Sequence, residues 1–552
     1  MRAANRPLGT TLLEDFSVKH NRNGRPSAGT VAAAIALGLG LVVIAADPTN
    51  AAKGGSGGGN GSSGGGSGSG GTSVSTSGSG TSGGSGTSGG SGTSGGSGTS
   101  GGSGSSGGSG SSGGSGSSGG SGSSGGSTSG SNGSRAIRPL TGLLPPAPPP
   151  AAYSAIVRSQ PALVALGKAL FWDVQTGSGN HQACASCHFH AGADTRTVNQ
   201  LSPGINVQPA GDNTFGNALQ QTGSGATAGP NYALAAADFP FHKLADINNR
   251  DSTVLYDTND VTSSQGAFPT ELTPAANNNA AGQLMSCHSV PGAPFQMNVA
   301  GSTYNTRRVE PRNTPSNINA VFNFRNFWDG RANNTFNGVS PFGLRAIMAD
   351  PTARVFTTDG TTPTAQALEL PNMSAASQAT GPVLSTFEMA CANETFPALG
   401  RSLMAQRVLQ TQPISPTDSV FSALPVGGIA SGGLGLTVTY SDLVRAAFQP
   451  AYWQDNHFYA VNPSTGQISP VADASTGFLI DELNFSMYFG MAIDAYERTL
   501  ISDKSPFDLG TMTADAVAGE GVFTGKAHCD ACHDGPLFSK ATTFQGDTAF
   551  AP

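Results

Sequence analysis

Charge is scarce in this 552-residue chain: Asp, Glu, Lys and Arg make up 11% of it, aromatic residues 7%, and tryptophan occurs three times. Basic side chains are the scarcer sign, 27 Lys plus Arg against 34 Asp plus Glu. Six of the basic and three of the acidic residues precede residue 135, which leaves 21 against 31 on the remainder, a formal charge of −10. A phosphate-binding surface needs the opposite sign, so nucleic acid is excluded as an expected partner. Cysteine is limited to six residues. In an exported chain six would ordinarily read as three disulfides, but their spacing points elsewhere.

Domain count is bounded by a second shortage. Residues 54–134 hold almost nothing but Gly, Ser and Thr in a recurring "GGSGTS" hexad. Such a segment has no apolar surface to bury and is expected to be a disordered tether, with a root-mean-square span of roughly 50 Å. Ahead of it, in residues 1–53, Lys19, Arg22 and Arg25 precede an uncharged, mostly apolar run from Ala28 to Ala46, the order of an export signal. At about 19 residues the run is also long enough to span a bilayer if it is not cleaved. The expected location is the periplasm or the extracytoplasmic face of the membrane, with membrane contact only through this segment.

Four of the six cysteines sit in two Cys-x-x-Cys-His units, "CASCH" at 184–188 and "CDACH" at 529–533. Covalent haem attachment requires two thiols to add across two vinyl groups and an imidazole from the same turn to bind iron. Cys184, Cys187 and His188, and then Cys529, Cys532 and His533, supply that set twice. Zinc would require a second Cys or His pair at finger spacing, and a thioredoxin-like site has no use for the histidine. Two covalent c-type haems are expected, with His188 and His533 as iron ligands and His190 as a local polar contact.

Each motif follows a helical pattern. Before the first, "PALVALGKALFWD" (161–173) sets Leu163, Leu166, Ala169 and Leu170 at helical spacing with proline at the start. Before the second, Thr513 is an expected N-cap for a helix that carries Val517, Gly521 and Phe523 toward Cys529. A third stretch, Leu483 to Ile501, places Phe485, Phe489, Ile493, Tyr496 and Leu500 on one stripe, which reads as core. The fold class expected is mostly α, with long polar loops and little strand.

The stretches "LGKALFWD", "CASCH", "PRNTPSNINAVFNFRNFWDGRA", "FEMA", "AYERTLISDKSPFD" and "GKAHCDACHDGPLFS", in this order over about 161–546, resemble the bacterial di-haem cytochrome c peroxidase family. The resemblance implies two cytochrome c-like domains with one haem each and calcium at their interface. The first haem would reduce hydrogen peroxide; the second would relay electrons from a small cytochrome c or cupredoxin. It also allows a homodimer. By the same resemblance Trp328 lies between the haems, Glu388 and Gln378 stand over the peroxidatic iron, and Asn313 is a calcium ligand. Residues 135–505 would form the peroxidatic domain with an insert at about 190–300, and 506–552 would begin an incomplete electron-transfer domain.

The chain departs from the family pattern in three places. Many members carry a histidine seven residues before the Arg-Asn of the central block as a displaceable sixth ligand; counting back from Arg312 gives Asn305. An amide is a poor iron ligand, so the first haem would be open, unless His242 or His288 takes the position. The insert contains "LMSCH", where Leu284 replaces an attachment cysteine; Cys287 pairs with Cys391, which is favoured, or carries a third haem above His288, or stays a free thiol. Finally, the sequence stops 19 residues after His533, short of the expected distal methionine; Met285, Met297 and Met389 read as packing residues. Three functions fit: a peroxidase, a related di-haem oxidase of a protein side chain or organic substrate, and a non-catalytic electron carrier.

Overall fold

The computed structural model describes residues 136–196, 200–204, 215, 229–273, 284–424 and 426–546. The export segment and the tether lie outside the described residues. No described helix is long and apolar enough to cross a membrane.

The core is built around two helices. Helix α1 (Pro150–Ser154) leads into α2 (Gln160–Trp172), which opens with Ser159 accepting from the Ala162 N–H. Proline at its second position has no amide to leave unsatisfied. Helix α2 packs against α9 (Phe485–Glu497) and α7 (Tyr440–Ala447), and α9 packs in turn against α5 (Ser374–Ala379) and α6 (Phe396–Leu403). The α2–α9 approach depends on Gly167: a Cβ there would lie 1.8 Å from the Ala492 carbonyl oxygen. Every residue of α9 is buried: the stripe read as core is core, and the faces beside it are buried as well. Helices cover α9 on more than one side, and its acidic members find partners inside, Asp494 with Arg498 at 2.6 Å and Glu497, through Oε1 alone, with Asn317.

Helix α2 ends at Asp173, a buried carboxylate that accepts from the Gln175 and Leu409 amides at 2.9 and 2.6 Å and from the Tyr440 hydroxyl at 2.8 Å. This pins the end of "LFWD" and aims the chain toward the short helix α3 (Cys184–Cys187). Three further helices, α4 (Leu344–Ala349), α8 (Ile480–Leu483) and α10 (Ala514–Thr524), complete the helical set of the described residues.

The mostly α expectation is corrected for the long connections. Among the described residues they carry twelve short strands, β1 to β12, arranged as six two-stranded antiparallel sheets. Four of these sheets lie between residues 200 and 305: β1 (Gln200–Ser202) with β4 (Val261–Ser263), β2 (His242–Leu244) with β3 (Val254–Asp257), β5 (Thr270–Leu272) with β6 (Cys287–Ser289), and β7 (Gln296–Val299) with β8 (Ser302–Asn305). The other two are β9 (Val355–Thr358) with β10 (Pro363–Gln366) and β11 (Phe458–Val461) with β12 (Ile468–Val471). Segments such as "HKL", "TEL" and "STYN" show no apolar alternation, which is why the sequence pattern does not announce them.

The Cys287–Cys391 pair is a disulfide with Cα atoms 6.4 Å apart. It ties β6 to the chain beyond Glu388, beside amide bonds from Leu272 to Ala392 and from Ala392 to Thr270 at 3.0 and 2.9 Å. The insert is thereby stapled to the haem-bearing core, as the favoured pairing anticipated.

Candidate haem sites

Both Cys-x-x-Cys-His turns have the same local construction. At the first, the His188 amide donates to the Cys184 carbonyl at 2.9 Å, closing one turn, and His188 Nδ1 donates to the Pro315 carbonyl at 2.9 Å. At the second, the His533 amide donates to the Cys529 carbonyl at 2.8 Å and His533 Nδ1 donates to the Phe538 carbonyl at 3.1 Å. A carbonyl on Nδ1 fixes the ring and the tautomer and leaves Nε2 as the ligating nitrogen. Cys184, Cys187, Cys529 and Cys532 are all free thiols. Two thiols and an oriented imidazole on one turn fit a c-type haem at each position.

The two sites differ in their surroundings. Around the first, burial pushes the Cys187 thiol up to about 11 and holds His188 below its ordinary value, in the neutral form that binds iron. Phe171 of α2 stands 6.3 Å from the His188 ring. In the second turn Cys529 and Asp530 are half-buried and Ala531, Cys532 and His533 exposed, with Asp534 buried just beyond. It follows α10, whose N-cap is Thr513 accepting from the Ala516 amide at 3.2 Å, as the sequence leads one to expect. Phe523 and Phe538 pack near His533, with ring centroids 5.8 Å apart.

Glu388 lies beside the first site. Its charge acts on both Cys184 and Cys187, and desolvation raises its own carboxyl well above the usual carboxylate range, opposed by Arg331 and Arg312. A second acid that sequence reasoning missed shares this environment: Glu310 is raised by burial and by the charge of Glu388, again opposed by Arg312 and Arg331. The pair arises from three backbones running side by side. The Gly266 amide donates to the Arg308 carbonyl at 2.8 Å, Glu310 N–H to the Ser264 carbonyl at 3.0 Å, and Ala267 N–H to the Phe387 carbonyl at 3.2 Å. Arg308 Nη1 adds a bond to the Thr386 carbonyl at 2.9 Å.

Trp328 is 75% exposed, on a turn flanked by Phe327 and Gly330, both with positive φ. The Arg312 guanidinium lies 5.4 Å from its ring centroid, and Arg331 lies 3.7 Å from that of Phe327. The central block therefore delivers Trp328 and the two arginines that face Glu388 together. Gln378 is half-buried near the end of α5, its carbonyl accepting from Gly381 at 3.0 Å. Asn313 is exposed. Among the described residues no group of three or more His, Cys, Asp or Glu forms a metal-binding cluster.

Asn305 is committed elsewhere. Its Nδ2 donates to Pro269 O, Ser289 Oγ and Val290 O at 3.2, 2.9 and 2.6 Å, and its Oδ1 accepts from Gln296 at 3.0 Å. The two substitute histidines are held in hairpins, His242 at 3.1 Å from Asp257 and His288 at 3.8 Å from Glu271. His190 is exposed and packs on the Phe189 ring at 4.4 Å. Met285 and Met389 are core residues, while Met297 is exposed and accepts from Asn231.

Residues 161–262 and 277–414 match the family model described as di-haem cytochrome c peroxidase. These stretches are similar to the di-haem cytochrome c peroxidase family. The first match covers α2 and the "CASCH" turn; the second covers Glu310, Trp328, Gln378 and Glu388. The chain is also similar to the cytochrome-c peroxidase IdrP1 of Denitromonas iodatirespirans, with 48% identity over 56 residues. That segment covers 9% of this chain and 15% of the relative, so the chain spans a small part of the curated relative it matches. The family's two c-type haems accord with the two attachment turns.

Proposed function

We propose that the protein reduces hydrogen peroxide to water, taking two protons and two electrons per peroxide, with the electrons delivered by a small cytochrome c or cupredoxin. The observation that carries this reading is the raised acid Glu388 facing the first of two attachment turns whose imidazoles are oriented alike. When bound, the haem held by Cys184, Cys187 and His188 supplies the redox chemistry. The chain supplies orientation and protons. Glu388, desolvated toward neutrality, takes a proton from one peroxide oxygen and returns it to the departing one. Arg312 and Arg331 limit the rise of its pKa, so both protonation states are accessible. Gln378 would orient the peroxide through its amide, and Trp328 would provide a π-system in the electron path between the groups that His533 and His188 would hold.

In this proposal residues 1–53 export the chain to the periplasm or outer face of the membrane and 54–134 tether it. Residues 135–505 form the peroxidatic domain and 506–552 belong to the electron-transfer domain, with Asn313 contributing to calcium at the junction. Asn305 provides no sixth ligand. Steady-state peroxide consumption with a reduced donor tests the function. Glu388→Gln is expected to keep haem loading and lower turnover by about a hundredfold; an unchanged rate removes Glu388 from the chemistry.

A further inference from the structure

Phe171, near the end of α2, joins the first attachment turn to two aromatic side chains that the proposed peroxide chemistry does not use. Its ring centroid lies 6.3 Å from that of His188, 5.4 Å from that of Tyr496 and 5.8 Å from that of Trp172. Trp172 Nε1–H donates to the Tyr496 hydroxyl oxygen at 2.9 Å. These spacings are those of packed aromatic pairs, so π-systems run without a break from the His188 imidazole to the Trp172 indole. Phe171 and Tyr496 are 1% and 5% exposed, whereas Trp172 is half-buried. Trp172 is therefore the member of the run that water reaches.

The run is held by the core, because Phe171 and Trp172 close α2, Tyr496 belongs to α9, and the two helices pack together. The Trp172 carbonyl also accepts from Gln412 at 2.8 Å. Of these rings the indole gives up an electron most readily, and its N–H bond to Tyr496 strengthens once the donor ring carries positive charge. Trp453 offers a comparison within the same chain. It too is half-buried with its indole N–H satisfied, by the Phe448 carbonyl at 3.1 Å. Its ring lies against Arg445, and among the described residues no ring contact joins it to Phe171 or His188.

We propose that Trp172 is an outlet for oxidising equivalents at the first site: when hydrogen peroxide arrives and donor electrons do not, the indole supplies them through Phe171 and is hydroxylated. The step balances. Peroxide takes two electrons and two protons, and its O–O bond breaks to give two waters. The indole gives up two electrons while a water forms a C–O bond to a ring carbon; one proton leaves from the broken ring C–H bond and one from the added water. The sum is indole plus peroxide to hydroxyindole plus one water. The inference rests on the peroxide reading above and on His188 holding the first haem.

The test treats the holoprotein with hydrogen peroxide in the absence of any donor, follows peroxide consumption, and weighs the tryptophan-bearing peptides after digestion. The Trp172 peptide is expected to gain the mass of one oxygen atom and the Trp453 peptide to keep its mass. In the Cys184→Ser/Cys187→Ser variant, which lacks the first attachment, the gain at Trp172 is expected to be lost. Peroxide consumption with Trp172 unmodified overturns the inference and leaves the peroxide reading standing. Equal oxidation of Trp172 and Trp453, or undiminished oxidation of Trp172 in the variant, also overturns it. Holoprotein that consumes no peroxide overturns the proposed function and this inference with it. The comparison of Trp172 with Trp453 in the wild type decides the matter if the variant does not fold.

Discussion

Gly266→Ala should disable the first site without touching any group that does chemistry. Gly266 is buried between Arg308 and the 386–388 segment. A Cβ there would lie 1.7 Å from the Phe387 carbonyl oxygen and 3.1 Å from the Glu388 Cα. The obstacle is backbone, not a flexible side chain, and Ala is otherwise free to adopt this conformation. To reach ordinary contact the two backbones must part by more than about 1 Å, and Glu388 moves with them; displacement of that order at a reacting centre costs about a hundredfold in rate. The accompanying loss of stability is that of overpacking, about 1–3 kcal/mol. The assay is kcat/KM for peroxide at saturating donor, with haem content measured alongside. Gly179→Ala, whose added Cβ meets nothing within 4 Å, serves as the control. Haem-loaded Gly266→Ala with wild-type kcat/KM would refute the placement of Glu388 at the reacting centre.

Two further predictions concern stability. Burial pushes Glu394 up to about 8 from an ordinary 4.5, so between those values the folded state holds a proton that the unfolded state has released. Its contribution is therefore full below about 4.5 and declines as pH rises toward 8; Glu394→Gln should flatten that part of a Tm-against-pH curve, and an unchanged slope would contradict the assignment. The Cys287–Cys391 bridge closes a loop of 104 residues, for which chain entropy gives about 4.7 kcal/mol and measured bridges more often 2–4. The double serine variant should lose stability of that order in denaturant titration while keeping two haems, and undiminished stability would count against the bridge.

Local signals were the legible ones. Ser159, Pro161 and the Leu163–Leu170 spacing fix α2, Thr513 fixes the start of α10, and each attachment turn is complete within five residues, so no distant contact is needed to read them. The cysteine pairing was favoured because two residues remained once the attachment turns were set aside. Glu310 escaped notice because its relation to Glu388 exists only where residues 264–267, 308–310 and 386–388 run side by side, 78 positions apart at the two acids. The strands of the insert escaped because three- and four-residue polar segments are held by pairing and not by a buried face. In α9 the stripe read as core is core, but only packing against α2, α5 and α6 reveals that the remaining faces are buried as well. Asn305 could be recognised as a missing imidazole, but its four bonds within the insert depend on turns that no local pattern specifies.

The central claim is that two haems, and only two, are covalently bound, at Cys184–His188 and Cys529–His533. Pyridine haemochrome absorbance per polypeptide, combined with intact mass of wild type and of the Cys184→Ser/Cys187→Ser and Cys529→Ser/Cys532→Ser variants, measures it directly. The account predicts two haems in the wild type and one in each variant. Three haems in the wild type, or an undiminished count in either variant, would contradict it.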